Sequence, residues 1–225
     1  MSNDKIIALL SDKVALKQSV SDLSKDVFSE LKTELKNLFD ELRIVTRKNG
    51  QQIPIEFTDR SPYQAEALIG DDYLVFILLP TVATFDNDHE IWKTSYVKDN
   101  PNNSFVGKVY VYNFMADSFT FNRPGDQGIL IGRIFVNKDR HFFVEGKKQL
   151  GLRFNDFSNA VLDRASIREI LEAVVLHSLD FDPFAPPFDK VQMISVAEVQ
   201  ESTIQTRIAT GKRLGFRFQA DTGAL

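Results

Sequence analysis

The chain has 225 residues, of which 43% are hydrophobic and 11% aromatic, so it can bury a core without disulfide or metal cross-links. It contains no Cys, which excludes disulfides, thiolate metal sites and a cysteine nucleophile, and its three His are scattered, which argues against a histidine zinc site. The net charge of -4 gives no general attraction to nucleic acid, although a local patch could still bind it.

No segment of the sequence has the pattern of an export signal or a membrane span. The N-terminus lacks a basic region followed by an apolar one, and the most apolar run, residues 73–79, stops at Pro80. A spanning helix needs roughly 20 apolar residues. Together with the absence of Cys, this predicts a protein of the reducing cytoplasm without membrane contact.

Residues 3–45 contain neither Pro nor Gly and repeat apolar residues at steps of three and four, which predicts one long amphipathic helix. The first part of this helix fits a heptad with mostly β-branched residues at a and Leu at d. These positions are Ile6, Lys13, Val20 and Val27 at a, and Leu9, Leu16 and Leu23 at d. The combination favours a parallel two-stranded coiled coil, in which the Lys would set the register. We therefore expect these residues to form the interface of a homodimer.

The second part of the helix predicts a different partner. From Leu23 through Val27 to Leu35, three successive steps of four residues insert one residue before the heptad resumes and continues to Val45. The apolar stripe also widens, as is typical of a helix that packs on the sheet of its own chain. Packing on the sheet remains an alternative to dimerisation for the whole helix. Asn49 and Gly50 then provide turn chemistry that ends the helix.

The rest of the chain predicts an α+β fold with a mostly antiparallel sheet and one covering helix. The turn at Asn49 and Gly50 divides the chain into a helical or coiled-coil segment, residues 1–48, and a sheet domain, residues 50–225. β-Prone runs between turn residues predict a meander of short strands. These runs cover residues 53–57, 65–69, 73–79, 106–114, 119–121, 128–136, 141–144 and 150–154, followed later by 191–199 and 213–218. An apolar stripe over residues 165–179, with Asp163 as its cap, predicts the covering helix.

One combination of residues resembles the pattern of metal-dependent nucleases. Asp126 precedes Glu145 by nineteen residues, and Lys147 follows two positions later. Two carboxylates can hold Mg²⁺ beside a phosphodiester while a Lys stabilises the developing charge. The alternative, which we favour, is that Glu145 and Lys147 are solvated charges at a hairpin turn.

Two basic turns lead into similar Leu-Gly-x-Arg-Phe segments, which begin at Leu150 and Leu214. In a strand, alternation would place the Gly beside the Arg on one face, where a phosphate or another anion could bind. The alternative is that the basic residues cover the solvent face of the sheet. The acid-rich stretch 86–90, which includes His89, is interpreted as a polar loop.

These features favour a non-enzymatic cytoplasmic protein that binds or assembles. The common catalytic signatures are missing from the sequence, and neither a metal site nor a cofactor is predicted. We expect a homodimer formed by the N-terminal helix, with a sheet domain that recognises a protein partner or an anionic ligand. The expected ligand-binding residues are Arg153, Arg217, Lys147 and Lys212. The alternative function is a divalent-metal nuclease that uses Asp126, Glu145 and Lys147.

Overall fold

A computed structural model of the chain describes residues 2–147, 149–181, 187–193 and 195–196. The long N-terminal helix, α1, is α-helical over Ser2–Leu9, makes a π-helical turn over Leu10–Val14 and is α-helical again over Ala15–Lys48. Gly50 follows with a φ of 76°, a left-handed conformation that Gly adopts at little cost, so the chain turns where the sequence predicts.

Six antiparallel strands form one sheet, in which every strand pairs with its neighbours in the sequence. The strands are β1 Ile55–Ser61, β2 Gln64–Ile69, β3 Asp72–Ala83, β4 Val106–Met115, β5 Ile129–Asn137 and β6 Phe142–Gly146. This meander, together with α1 and a later helix, confirms the predicted α+β fold. β1 and β6 are the edge strands.

The remaining helices are short apart from α5. They are α2 Ser95–Asp99, α3 Ala116–Thr120, α4 Gln149–Arg153, α5 Arg164–Leu179 and α6 Phe188–Val191, with 3-10 turns at Glu90–Lys93 and Pro101–Ser104. Asp163 caps α5, because its Oδ1 accepts a hydrogen bond from the Ser166 backbone N–H at 2.8 Å. Among the described residues, no helix is long and apolar enough to cross a bilayer.

The main hydrophobic core lies between one face of the sheet and the helices α1 and α5. α1 contributes a broad buried stripe that consists of Val27, Phe28, Leu31, Leu35, Leu38 and Phe39. Ion pairs support this packing at the surface: Arg140 binds Glu30 through both terminal nitrogens, and Arg168 of α5 binds Glu41. The second half of α1 therefore shares one core with the sheet.

A smaller core covers the opposite face of the sheet near β5 and β6. Ile91 and Val97, from the long β3–β4 connection, pack in this cluster with Phe135, Phe143 and their neighbours. Strand alternation explains the division, since the residues on either side of Phe143 point into the main core while Phe143 points away from it. The β3–β4 connection is thereby held against β6.

The segment predicted as a strand at residues 150–154 is helical as far as Arg153, where α4 ends. Leu150 and Phe154 are buried, whereas Leu152 between them is 78% exposed. Residues four apart share one face of a helix, while residues two apart share one face of a strand. The apolar spacing fits both structures, and packing on the end of β6 selects the helix.

Other predicted strands also differ from the structure. Phe119 and Thr120 belong to α3, where the Phe119 ring stacks on Tyr73 of β3 at a centroid distance of 3.9 Å. Val191 ends α6, and the described residues of the range 191–199 contain no strand. The predicted strand at 213–218 lies outside the described residues.

Candidate ligand-binding cleft and exposed helix

A cleft of about 600 Å³ opens at the β6 edge of the sheet. Its walls are the 3-10 turn Glu90–Lys93 with the preceding His89, the strand β6, and α4 with the residues that follow it. Small-molecule sites commonly have volumes in this range. The apolar side chains of Ile91, Phe143 and Phe157 line it, and they belong to the smaller core. The cleft is therefore built on packed, preformed structure.

Glu145 is the acidic group that β6 places in the cleft. Its Oε1 lies 3.3 Å from His89 Nε2, and its Oε2 accepts a hydrogen bond from Arg133 Nη2 of β5. Arg133 and Glu145 are direct cross-strand partners in the β5–β6 pairing. These contacts hold the Glu145 side chain in place, and because it is 31% exposed a ligand can still reach it.

Arg133 is itself fixed from the other side. Its guanidinium lies over the rings of Tyr110 and Phe135, at 5.7 and 5.4 Å from their centroids. Burial acts to lower the pKa of Arg133, but its hydrogen bond to Tyr110 and the negative charge of Glu145 outweigh burial and raise that pKa. The guanidinium is thus a permanent cation beside the cleft.

His89 is oriented by the backbone of its own turn. The N–H of Ile91 donates to His89 Nδ1 at 3.2 Å, so Nδ1 is an acceptor and the ring proton is on Nε2, which faces Glu145. The imidazole also stacks on Phe85 at a centroid distance of 4.3 Å. Both ring nitrogens therefore have partners within the protein.

Two glycines allow α4 to close against the end of β6. A Cβ on Gly151 would lie 2.7 Å from the backbone oxygen of Gly146, and a Cβ on Gly146 would lie 2.7 Å from Cβ of Leu150. Neither backbone could approach so closely with a larger residue. Gly146 and Gly151 thus line the cleft where α4 meets the end of β6.

The structure does not join Asp126 to Glu145. The Asp126 carboxylate accepts a hydrogen bond from Ser118 Oγ at 2.7 Å and pairs with Arg123, whereas Glu145 pairs with Arg133 and His89. Glu145 also lies within β6 rather than at a turn. Among the described residues, no group of three or more His, Asp or Glu could hold a metal ion. The geometry gives the nuclease hypothesis no support.

Of the basic residues predicted to bind an anion, the two that the structure describes, Lys147 and Arg153, do not line the cleft. Lys147 is exposed just after β6. Arg153 is exposed on α4 and pairs with Glu169 of α5 at 3.0 Å. Lys212 and Arg217 lie outside the described residues. Because Arg153 is helical, it does not share a strand face with Gly151 as the sequence predicted.

The predicted dimer seam is divided by the fold. Val20 and Val27 are buried and Leu23 is partly buried within their own chain, so these three residues do not face a second helix. The earlier residues behave differently: Ile6 is 51% exposed, Leu9 is 57% exposed, and neighbouring apolar residues are equally open, namely Ile7, Leu10 and Val14. Lys13 is exposed and Leu16 is half-buried. Only the start of the seam remains accessible.

The π-turn at Leu10–Val14 also interrupts the heptad. A π-turn holds more residues than an α-turn. The side chains before it therefore point in directions, around the helix axis, that differ from those in an unbroken α-helix. The sequence predicted one inserted residue near Val27, whereas the structure has its irregularity more than ten residues earlier. The exposed apolar residues at the start of α1 therefore form a separate surface, which we call the N-terminal surface: Ile6, Ile7, Leu9, Leu10 and Val14.

The two residues that hold Glu145 in place were missed by sequence reasoning. Arg133 could have been found, because the turn at residues 137–139 fixes the β5–β6 register and places it opposite Glu145. His89 lies 56 residues before Glu145, and no local pattern connects them. Comparisons with family models, curated proteins and solved structures find no match to this chain.

Proposed function

We propose that the protein is a non-enzymatic cytoplasmic binding protein, which forms a homodimer through the start of α1 and binds a ligand in the cleft beside β6. The main support for the dimer is the exposure of the N-terminal surface. Its five large apolar side chains are each about half exposed, and no residue from 3 to 15 is buried. A second copy of the same surface would remove them from water, at about 25 cal/mol per Å² of apolar area.

The sequence pattern of this segment supports a helical partner. β-Branched Ile6 with Leu9 three residues later, both before the π-turn, is the a/d combination of a parallel pair. Since Val20 and Val27 are buried in the monomer, the pair would be short. We therefore expect a dimer that dissociates on dilution.

The contacts of the cleft support binding rather than catalysis. Both ring nitrogens of His89 are engaged, and each oxygen of Glu145 already accepts one hydrogen bond. His89 cannot act as a general base while both of its nitrogens have partners, because a base needs a lone pair aimed at a proton of the substrate. The residues at the centre of this cleft instead hold one another in position. The absence of Cys from the sequence supports the cytoplasm as the compartment.

The dimer is tested by charge substitution on the N-terminal surface. The double variant Ile6→Glu with Leu9→Glu should be monomeric in light scattering at concentrations where the parent chain has twice the monomer mass, because four like charges would meet in the paired helices. The matched control is Ile44→Glu with Val45→Glu, two equally exposed apolar residues at the other end of α1. This control should remain dimeric.

A parent chain that is monomeric at every concentration tested would refute the assembly. Loss of the dimer in the control variant would place the interface elsewhere on α1. Circular dichroism should show the same helix content for both variants, since all four positions are exposed.

A further inference from the structure

The cleft carries a specific charge arrangement that bears on the class of its ligand. Of the described residues that line it, Glu145 and Glu90 are acidic and none is Lys or Arg. Glu90 is an exposed rim residue paired with Lys93, so Glu145 is the acidic group that lies beside the apolar lining. A ligand in this cleft meets a carboxylate next to aromatic side chains.

Glu145 retains the capacity to bind a further donor. Each carboxylate oxygen has two acceptor positions, and the structure uses one on each oxygen, for His89 and for Arg133. The two protein donors hold the carboxylate in one orientation. A third donor can therefore add to it without the entropy cost of ordering the side chain.

Aromatic side chains form part of the apolar lining next to Glu145. Phe143 and Phe157 lie edge to face at a centroid distance of 5.4 Å, and both line the cleft. Ile91 and Leu152 add aliphatic surface at opposite walls.

We infer that the cleft binds a small organic ammonium ion with an apolar body, whose N–H groups donate to Glu145 while the body lies against Phe143 and Phe157. This inference rests on the ligand-binding part of the proposed function and names its ligand class. It differs from the anionic ligand that the sequence predicts, because Arg153 is turned towards Glu169 of α5.

Three molecules of matched shape test the charge preference: phenethylammonium, 2-phenylethanol and 3-phenylpropionate. Trp92 is the single Trp of the chain and packs against the core that lines the cleft, so its one indole N–H resonance reports binding in an NMR titration of the full chain. We expect the ammonium to bind with a dissociation constant of about a millimolar, as is usual for ligands of this size. The alcohol should bind about tenfold more weakly, because its O–H group brings no positive charge to Glu145, and the carboxylate more weakly still, because Glu145 repels it.

Glu145→Gln should weaken the ammonium about tenfold and leave the alcohol nearly unchanged. The matched control is Glu169→Gln, an exposed carboxylate that pairs with Arg153 and does not line the cleft; it should leave all three affinities unchanged. Because Glu145→Gln also removes the partner of Arg133, Leu152→Lys provides a second variant at an exposed position. Its added cation should weaken the ammonium and strengthen the carboxylate.

Preferential binding of 3-phenylpropionate to the parent chain would overturn the inference and favour an anion site near Lys147. Equal affinities for the three molecules, or no shift of the Trp92 resonance with any of them, would also overturn it. Light scattering of the same samples reports the dimer separately. If the parent chain is monomeric but prefers the ammonium, this inference stands and only the proposed dimer is refuted.

Discussion

Gly107 of β4 and Ser24 of α1 mark a very close approach between the long helix and the sheet. A Cβ on Gly107 would lie 1.8 Å from Ser24 Oγ and 2.7 Å from Ser24 Cβ, and the Ser24 hydroxyl donates to the Val20 backbone oxygen at 2.6 Å. The helix can reach the sheet here because one residue has no side chain and the other has a small, internally bonded one. This pair sets where α1 changes from exposed to buried.

Gly107→Ala should lower the free energy of unfolding by about 1–3 kcal/mol, because the new methyl group overlaps Ser24 and forces α1 away from the sheet. Adding Ser24→Gly should recover part of this loss, since it removes both overlapping atoms. The measurement is urea unfolding of the single and double variants. The control is Gly125→Ala, where an added Cβ meets nothing within 4 Å. Equal stability of the two Gly→Ala variants would show that the close approach is not required.

At the scale of elements, α5 depends on a cap that titrates. Hydrogen bonds from the backbone N–H and the side chain of Ser166 hold the pKa of Asp163 below its ordinary value of 3.8. A carboxyl group with a depressed folded-state pKa stabilises the native state above its unfolded pKa, and this contribution is lost as the pH falls through the folded-state value. The cap should therefore weaken in acid.

Asp163→Asn separates capping from titration, because Asn caps a helix well but carries no charge. At neutral pH the parent chain should be the more stable of the two. The difference should shrink as the pH falls below about 3.8 and vanish once Asp163 is protonated in the folded state. Asp163→Ala should cost about 1 kcal/mol relative to Asn, since it removes the cap itself. Urea unfolding as a function of pH measures all three; a parent-to-Asn difference independent of pH would contradict the argument.

At the scale of the whole molecule, α1 belongs to two environments. Residues 3–15 contribute no buried side chain, whereas the stripe from Val20 to Phe39 is almost completely buried, with Phe28 and Leu35 at 0% exposure. Helix hydrogen bonds in an exposed segment open locally, while those behind a packed core open only when the molecule unfolds. The helix should therefore exchange its amide protons in two regimes.

Hydrogen exchange followed by mass spectrometry tests this division in the monomeric variant Ile6→Glu with Leu9→Glu. Amides of residues 2–14 should exchange fast, and those of residues 24–39 as slowly as those of α5 near Leu171, which serves as the internal reference. If the parent chain forms the proposed dimer, the first segment should gain protection in it, and this protection should disappear on dilution. Uniform slow exchange along α1 in the variant would mean that its start is packed on the monomer.

Local sequence patterns are enough to predict the long helix, its end at Gly50, the antiparallel meander and the cap at Asp163. These features depend on periodicity, turn residues and hydrogen bonds between near neighbours, which act over a few residues. Local patterns do not distinguish a helix from a strand at residues 150–154, because Leu150 and Phe154 fit both periods until β6 covers them.

Which turns of α1 are buried, and which groups meet in the cleft, depends on tertiary packing. The heptad continues through Val20 and Val27, but burial there depends on where Gly107 lets the helix approach the sheet. His89 reaches Glu145 across 56 residues of chain, because the β3–β4 connection folds back over Phe143. Contacts of this kind follow from how separate elements pack, and no local pattern of residues encodes them.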